Sequence, residues 1–225
     1  EAPIDFQPED AIVQPYDQKA LYDLFVRLEF VRLIDRYGLR SEALLEQPKQ
    51  VERKTLPRVD SLPQNVGQCA IFIGDDSSLF VAWREGVCSL TPLESMAAAS
   101  LLASCPELVC HDLKNTLHQL DLLGLPHGNF IFDTALAAYD LNPSQSDYSI
   151  EKLSTNFLGS ELPPMDGAAR AECVLALYPV LEAELKDKGM DNLYSTVELP
   201  LCPVLYDMEK EGVAIDRQML LRFGD

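Results

Sequence analysis

No apolar run in this 225-residue chain approaches the roughly 18 residues that a membrane-spanning helix needs. Basic side chains are scarce: 18 Lys and Arg stand against 36 Asp and Glu, a formal charge of −18. Duplex-binding modules draw their affinity from Lys and Arg neutralising phosphates, so this deficit excludes a basic duplex-binding module. It leaves room for a metal-dependent enzyme, which needs clustered carboxylates. Cys69, Cys88, Cys105, Cys110, Cys173 and Cys202 include no C-x-x-C pair and no regular spacing. That argues against a disulfide framework in a chain with its own apolar core, and for a reduced, cytoplasmic setting. Cys105, Cys110 and His111 do not fit structural zinc spacing, so the cysteines read as small buried hydrophobes. The amino terminus has neither Met nor a signal-peptide layout, and both ends are expected to be cuts through a longer protein.

What is present is an ordinary globular composition, 47% apolar and 24% charged, in a chain long enough to bury a core. The charge is uneven. Residues 1–60 hold 12 acids and 9 bases, whereas 61–225 hold 24 acids and 9 bases, a balance of −15 for the body of the chain.

Residues 1–16, with three prolines and no periodicity, read as an extended lead-in. One helix is expected from Asp17, which can cap it, through Leu21, Leu24, Phe25, Leu28 and Leu33 to a left-handed stop at Gly38. Residues 46–67, with Pro48, Pro57 and Pro63, read as a linker with a short strand around Val51. Cys69–Ile73, Ser78–Trp83 and Val87–Leu90 are short, apolar and β-prone, and the turn signals between them imply an antiparallel meander. A helix over Pro92–Ser104, a strand at Glu107–Cys110, a helix over Asp112–Leu123, a strand at Asn129–Asp133 and a helix over Thr134–Leu141 follow. Helices are expected near Ile150–Phe157, over Asp166–Lys188 and over Leu199–Glu211, the last with Pro200 in its first turn and Gly212 as its stop; Asp216 can cap another. The order βββαβαβ predicts an α/β fold: a mixed five-stranded sheet, antiparallel in its first three strands and parallel where helices intervene, with helices on both faces and further helices at both ends.

VELPLCPVLYDMEKEGVAID (Val197–Asp216) resembles the start of the polymerase domain in the bacterial DNA polymerase I family, the family A type. Members show E-x-P-L-x-x-V-L-x-x-M-E-x-x-G-V-x-x-D there, matched by Glu198, Pro200, Leu201, Val204, Leu205, Met208, Glu209, Gly212, Val213 and Asp216. Leu21–Leu39 is similar to the segment joining the family's 5′-nuclease and 3′-to-5′ exonuclease domains, and Phe132–Pro143 resembles its F-D-T-x-L-x-x-Y-L-L-x-P element. The resemblance implies a ribonuclease-H-like exonuclease domain over 67–190. It makes 1–66 a lead-in helix and linker from the 5′-nuclease side, and 191–225 the beginning of the polymerase domain.

Two-metal phosphodiester hydrolysis needs carboxylates converging on ions about 4 Å apart. By the resemblance the ligand positions are Gly74 and Asp76 on the first strand, Thr116 after the fourth, and Asp166, with Leu162 where the family has the Tyr that orients the attacking water. Two carboxylates and the Tyr are therefore replaced, and Asp76 and Asp166 remain as weak metal candidates. Asp75 and Asp76 also suit a tight turn, Asp112 and Asp133 suit helix caps, and His111, His118 and His127 read as core or surface histidines.

The expectation is a fragment of a DNA polymerase I acting in DNA replication and repair. In it, a vestigial proofreading domain braces the polymerase domain and has no cofactor of its own, while the parent transferase uses Mg²⁺. Its partners are then the polymerase and 5′-nuclease domains of the parent, with DNA reached through the parent and no membrane. Two alternatives stand beside it: an active 3′-to-5′ exonuclease using Asp75, Asp76, Asp112 and Asp166, and an acidic module that binds a basic protein.

Overall fold

Alternation along one strand sets the architecture. In β1 (Gln68–Ile73), Cys69, Ile71 and Ile73 belong to one buried cluster and Ala70 to another, so this strand is covered on both faces. The computed structural model describes residues 17–28, 30–39, 55–63 and 65–224. β2 (Leu79–Trp83) and β3 (Gly86–Leu90) complete an antiparallel meander, and β4 (Glu107–Cys110) and β5 (Phe130–Asp133) run parallel to β1. The strand order is β3-β2-β1-β4-β5.

Helices cover both faces. α1 (Gln18–Arg27) and α2 (Val31–Arg36) precede the sheet in sequence. A 3₁₀ turn at Pro92–Glu94 leads into α3 (Ser95–Ser104), which with α4 (Leu113–Leu122) supplies one face of the core. On the other face lie α5 (Thr134–Leu141), α6 (Ile150–Leu153, continued by a π turn at Ser154–Leu158) and the long α7 (Gly167–Asp187). Small residues let α7 approach the sheet closely, with Ala168 and Ala171 against Ala82 and Val87. α8 (Asp191–Leu193) runs through a π turn at Tyr194–Glu198 into α9 (Leu199–Glu211), whose Cys202 and Tyr206 join the core with α3 and α4; α10 (Arg217–Gly224) follows.

Three features differ from the sequence expectation. The helix expected from Asp17 to Gly38 is two helices: the Phe30 N–H reaches back five residues to Phe25 C=O, and Phe25 then meets the rings of both Phe30 and Tyr37. Asp17 does cap the start and Gly38 (φ +64°) does end it. The passage before Leu199 is helical. Pro200 has no N–H to give, and the ladder passes that point through the Leu199 N–H donating to Tyr194 C=O. By its internal contacts the chain divides into two units, Glu1–Pro48 and Lys49–Asp225. The third difference lies before β1. Arg58 makes a parallel bridge to Val87, with the Val59 N–H on Val87 C=O at 2.9 Å, so this part of the expected linker is an extra edge of the sheet. The lead-in at 1–16 and the strand around Val51 lie outside the described residues.

One carboxyl in this fold is poorly served. Asp140 on α5 has a buried Oδ2 without a hydrogen-bond partner, and burial, reinforced by Glu198, pushes its pKa up to about 6. The folded state therefore binds a proton between pH 6 and the ordinary carboxylate range, where the unfolded chain does not, so this group favours folding more as pH falls through about 6. Asp140→Asn, which mimics the neutral form, should stabilise the protein at pH 8 by about 1 kcal/mol, partial solvation moderating the gain. The gain should vanish at pH 4. Urea midpoints at the two pH values measure it, and an equal effect at both would contradict this origin.

Candidate functional site

Parallel strands deliver their carboxyl ends to one edge of the sheet, where ligands of open α/β folds bind. Here β1 hands over to Gly74 and Asp75, β4 to His111 and Asp112, and β5 ends on Asp133. A cleft of about 670 Å³ opens there, lined among others by Phe72, Asp75, His111, Asp112, Thr116 and Asp133.

Asp133 is 3% exposed, and its carboxylate is consumed by backbone amides. It accepts hydrogen bonds from the N–H groups of Asp112 (2.9 Å), Leu113 (2.8 Å), Ala135 (2.9 Å) and Leu136 (3.4 Å), which caps α5 and fixes the start of α4 together. Burial pushes its pKa up while the amides and His111 pull it down. Its main chain is clamped as well: the Asp133 N–H donates to the Tyr194 hydroxyl (2.6 Å), which donates to Asp133 C=O (3.1 Å). Asp112, in a left-handed conformation, caps α4 through the Asn115 N–H. His111 meets the Thr134 hydroxyl at 2.9 Å, and burial lowers its pKa against the pull of Asp133, Asp112 and Glu151, so the ring is neutral at pH 7.

At the positions implied by the family motif, the polar side chains that remain are engaged by other partners. Thr116 lines the cleft, but its hydroxyl donates to Asp112 C=O one turn back, at 2.9 Å. Asp76 sits in the β1–β2 turn, where it accepts from the Ser78 N–H (3.1 Å) and hydroxyl (2.9 Å); those bonds lower its pKa. Asp166 caps α7 through the Ala169 N–H and takes the Arg58 guanidinium at 2.5 Å. Leu162 packs into the core under α5 and α7. A Cβ on Gly74 would be crowded, 2.8 Å from Asp76 Oδ1 and 3.0 Å from the Phe80 ring. The same ring occupies the place of a Cβ on Gly167, beside Asp166. Phe80 thus fills the space between the segments carrying Asp76 and Asp166. One turn along α7, Arg170 pairs with Glu151 and lies over the Phe72 ring, 5.8 Å from its centre.

Of the carboxylates Asp75, Asp76, Asp112 and Asp166, only Asp75 and Asp112 line the cleft, and no third free carboxylate joins them there. Among the described residues, no group of three or more His, Cys, Asp and Glu is placed to hold a metal ion. The residues present do not fit a two-metal pair. Sequence reasoning finds the capping Asp residues and misses Phe80, Arg58, Arg170 and Tyr194, whose roles depend on distant partners.

Beside the cleft, α9 is clasped to α4. Glu209 takes Lys114 (2.7 Å) and His118 (2.9 Å), while Asp121 takes Lys210 (2.6 Å), His127 (3.2 Å) and the Tyr206 hydroxyl. Tyr206 lies between the His118 and His127 rings, at 4.8 and 5.1 Å between centres. Lys210 and Tyr206 hold Asp121 down at about 2.

No protein-family profile matches the chain. Curated relatives do. DNA polymerase I of Mycobacterium leprae is 30% identical over 95% of this chain and 29% of its own length; that of Caldicellulosiruptor bescii is 26% identical over 98% and 27%. The chain therefore spans just under a third of the relatives it matches. Among solved structures, the POL domain of Pol1 from M. smegmatis, in complex with DNA primer-template and dNTP, superposes with a TM-score of 0.60 at 29% identity, over 69% of this chain and 30% of that one. Brucella melitensis NrnC bound to pGG superposes with a TM-score of 0.55 at 15% identity, over 70% and 93%, a likeness of fold. The chain is homologous over nearly its whole length to a segment of DNA polymerase I.

If Asp133 is structural, Asp133→Ala leaves four amides unpaired, one buried and three part-buried, and should cost about 3 kcal/mol. Asp75→Ala, at an exposed turn, should stay within about 0.5 kcal/mol. Urea unfolding of both variants measures this, and an Asp133→Ala midpoint equal to the parent's would refute the capping role.

Proposed function

We propose that this chain is the 3′-to-5′ exonuclease-like segment of a DNA polymerase I, with the fold kept and the hydrolytic site lost, and that it acts as a brace within the parent protein. The observation that carries this reading is the Phe80 ring, packed where side chains on Gly74 and Gly167 would lie. Loss of a ligand alone leaves a gap that a metal-bound water can fill. Here an apolar ring fills it, Arg58 neutralises Asp166, and Asp76 is held by Ser78.

The bracing role rests on α9. Its inward residues Cys202 and Tyr206 hold it to the core, and the Glu209 and Asp121 clasps fix its rotation. Its outward residues Leu201, Val204, Leu205 and Met208 follow i, i+3, i+4, i+7 spacing and are 39–63% exposed. Such a stripe is suited to burial against another folded surface. In this reading the surface is the polymerase domain, which the relatives' greater length accommodates, and the sheet sets its distance from the 5′-nuclease domain. DNA is then engaged through the parent, and Mg²⁺ serves the polymerase site.

Purified chain incubated with single-stranded DNA and Mg²⁺ or Mn²⁺ is expected to release no more nucleotide than a chelated control. The variant carrying Gly74→Asp and Thr116→Asp should stay inactive too, because a side chain at 74 collides with Phe80 and Asp76. Metal-dependent shortening that disappears in Asp76→Asn would establish an active exonuclease in its place.

The brace is tested separately, by supplying the remaining polymerase-domain polypeptide in trans. Val204→Asp with Met208→Asp should raise the dissociation constant at least about tenfold, since two apolar contacts become buried charges. Unchanged affinity in the doubly substituted chain would remove α9 from the interface.

A further inference from the structure

All six cysteines are buried and none is in a disulfide, yet they are not alike. Cys69 on β1 and Cys105, at the end of α3, place their sulfurs 3.6 Å apart across a separation of 36 residues. β1 and β4 are already neighbours, with Cys69 opposite Leu108 and Cys105 three residues upstream, so the sheet itself holds the two thiols together. We propose that Cys69 and Cys105 are an oxidisable dithiol, a modification site at which a peroxide-class oxidant closes a disulfide between β1 and the α3–β4 junction.

A disulfide needs its sulfurs at about 2.05 Å, so the two must approach by roughly 1.5 Å, within reach of side-chain rotation. Cys105 is the thiol first oxidised. Its neighbours Ser104, Pro106 and Glu107 are exposed, and the hydrogen bond from the Cys69 thiol draws its ionisation down to about 6. Burial pushes Cys88 and Cys202 up to about 11 and Cys110 higher still, so none of these three competes as a thiolate. Cys88 is also separated from Cys69 by the whole of β2, about 10 Å at ordinary strand spacing.

The chemistry balances. The Cys105 thiolate attacks one peroxide oxygen, the O–O bond breaks, and hydroxide leaves to give the sulfenic acid. Cys69 then attacks that sulfur, the S–S bond forms, the S–O bond breaks, and the departing hydroxide takes the Cys69 proton as water. Two thiols are oxidised to a disulfide and one peroxide is reduced to two waters.

The full chain, treated with hydrogen peroxide and then unfolded in N-ethylmaleimide, should show four alkylated thiols where the untreated chain shows six. Its mass before alkylation should fall by about 2 Da, its peptide map should join Cys69 to Cys105, and a thiol reductant should reverse all three. The bridged chain should melt several degrees higher, because the cross-link restricts the unfolded state. Cys88→Ala should leave the link intact, and Cys69→Ala should leave a sulfenic acid on Cys105 that dimedone traps. Six alkylated thiols after peroxide, a bridge to Cys88, or sulfinic acid on Cys105 without a bridge would each overturn the proposal. The parent chain's peptide map decides the matter even if a variant does not fold.

Discussion

The Asp133 carboxylate is the constraint on which the functional edge of the sheet depends. It ends β5, starts α5, and receives the first amides of α4 across the loop that leaves β4. Two parallel strands and the two helices that follow them are thereby fixed by one side chain. Its own backbone is held by Tyr194, which leads directly into α9. The geometry of the cleft and the placement of α9 are consequently one problem. A buried carboxylate is costly to desolvate, and four amide donors are what make this one tolerable.

That arrangement bears on the proposed loss of hydrolysis. A carboxylate can bind a metal only with lone pairs that the backbone has not taken. Asp133 gives its oxygens to four amides, Asp76 to Ser78, and Asp166 to a helix start and a guanidinium. Gly74 and Gly167 then admit the Phe80 ring, which is compatible with the fold only because both positions lack a Cβ. Absence of a ligand and presence of the ring are structurally linked: a side chain at 74 would crowd the ring, and the ring occupies the place of one at 167.

Much of this was legible in the sequence, for a local reason. Strands whose residues alternate between two cores, and helices that begin on Asp17, Asp112, Asp133 and Asp166, are written in neighbouring residues. The division of the sheet into antiparallel and parallel parts followed from where helices intervene. What was not legible depends on distance along the chain: Arg58 meets Asp166 across 108 residues, and Tyr194 meets Asp133 across 61. Neither pair leaves a periodic or motif signal. The break between α1 and α2 was hidden for another reason. Apolar spacing continues through it, and aromatic packing of Phe25 with Phe30 and Tyr37 overrides the continuous ladder.

The charge of −18 takes a different meaning once its acids are placed. An acidic excess suggests metal chemistry only if the carboxylates are available, and many here are spent on backbone amides or ion pairs. Asp121 and Glu209 answer four of the few cationic or imidazole side chains and hold α9 to α4. Depression of Asp121 to about 2 means that its contribution, complete above the ordinary carboxylate pKa, is lost only as pH falls through about 2. A clasp of this kind keeps its rotation over the whole neutral and mildly acidic range. That is the behaviour required of a support, and it places the acidity of this chain in the service of attachment between elements.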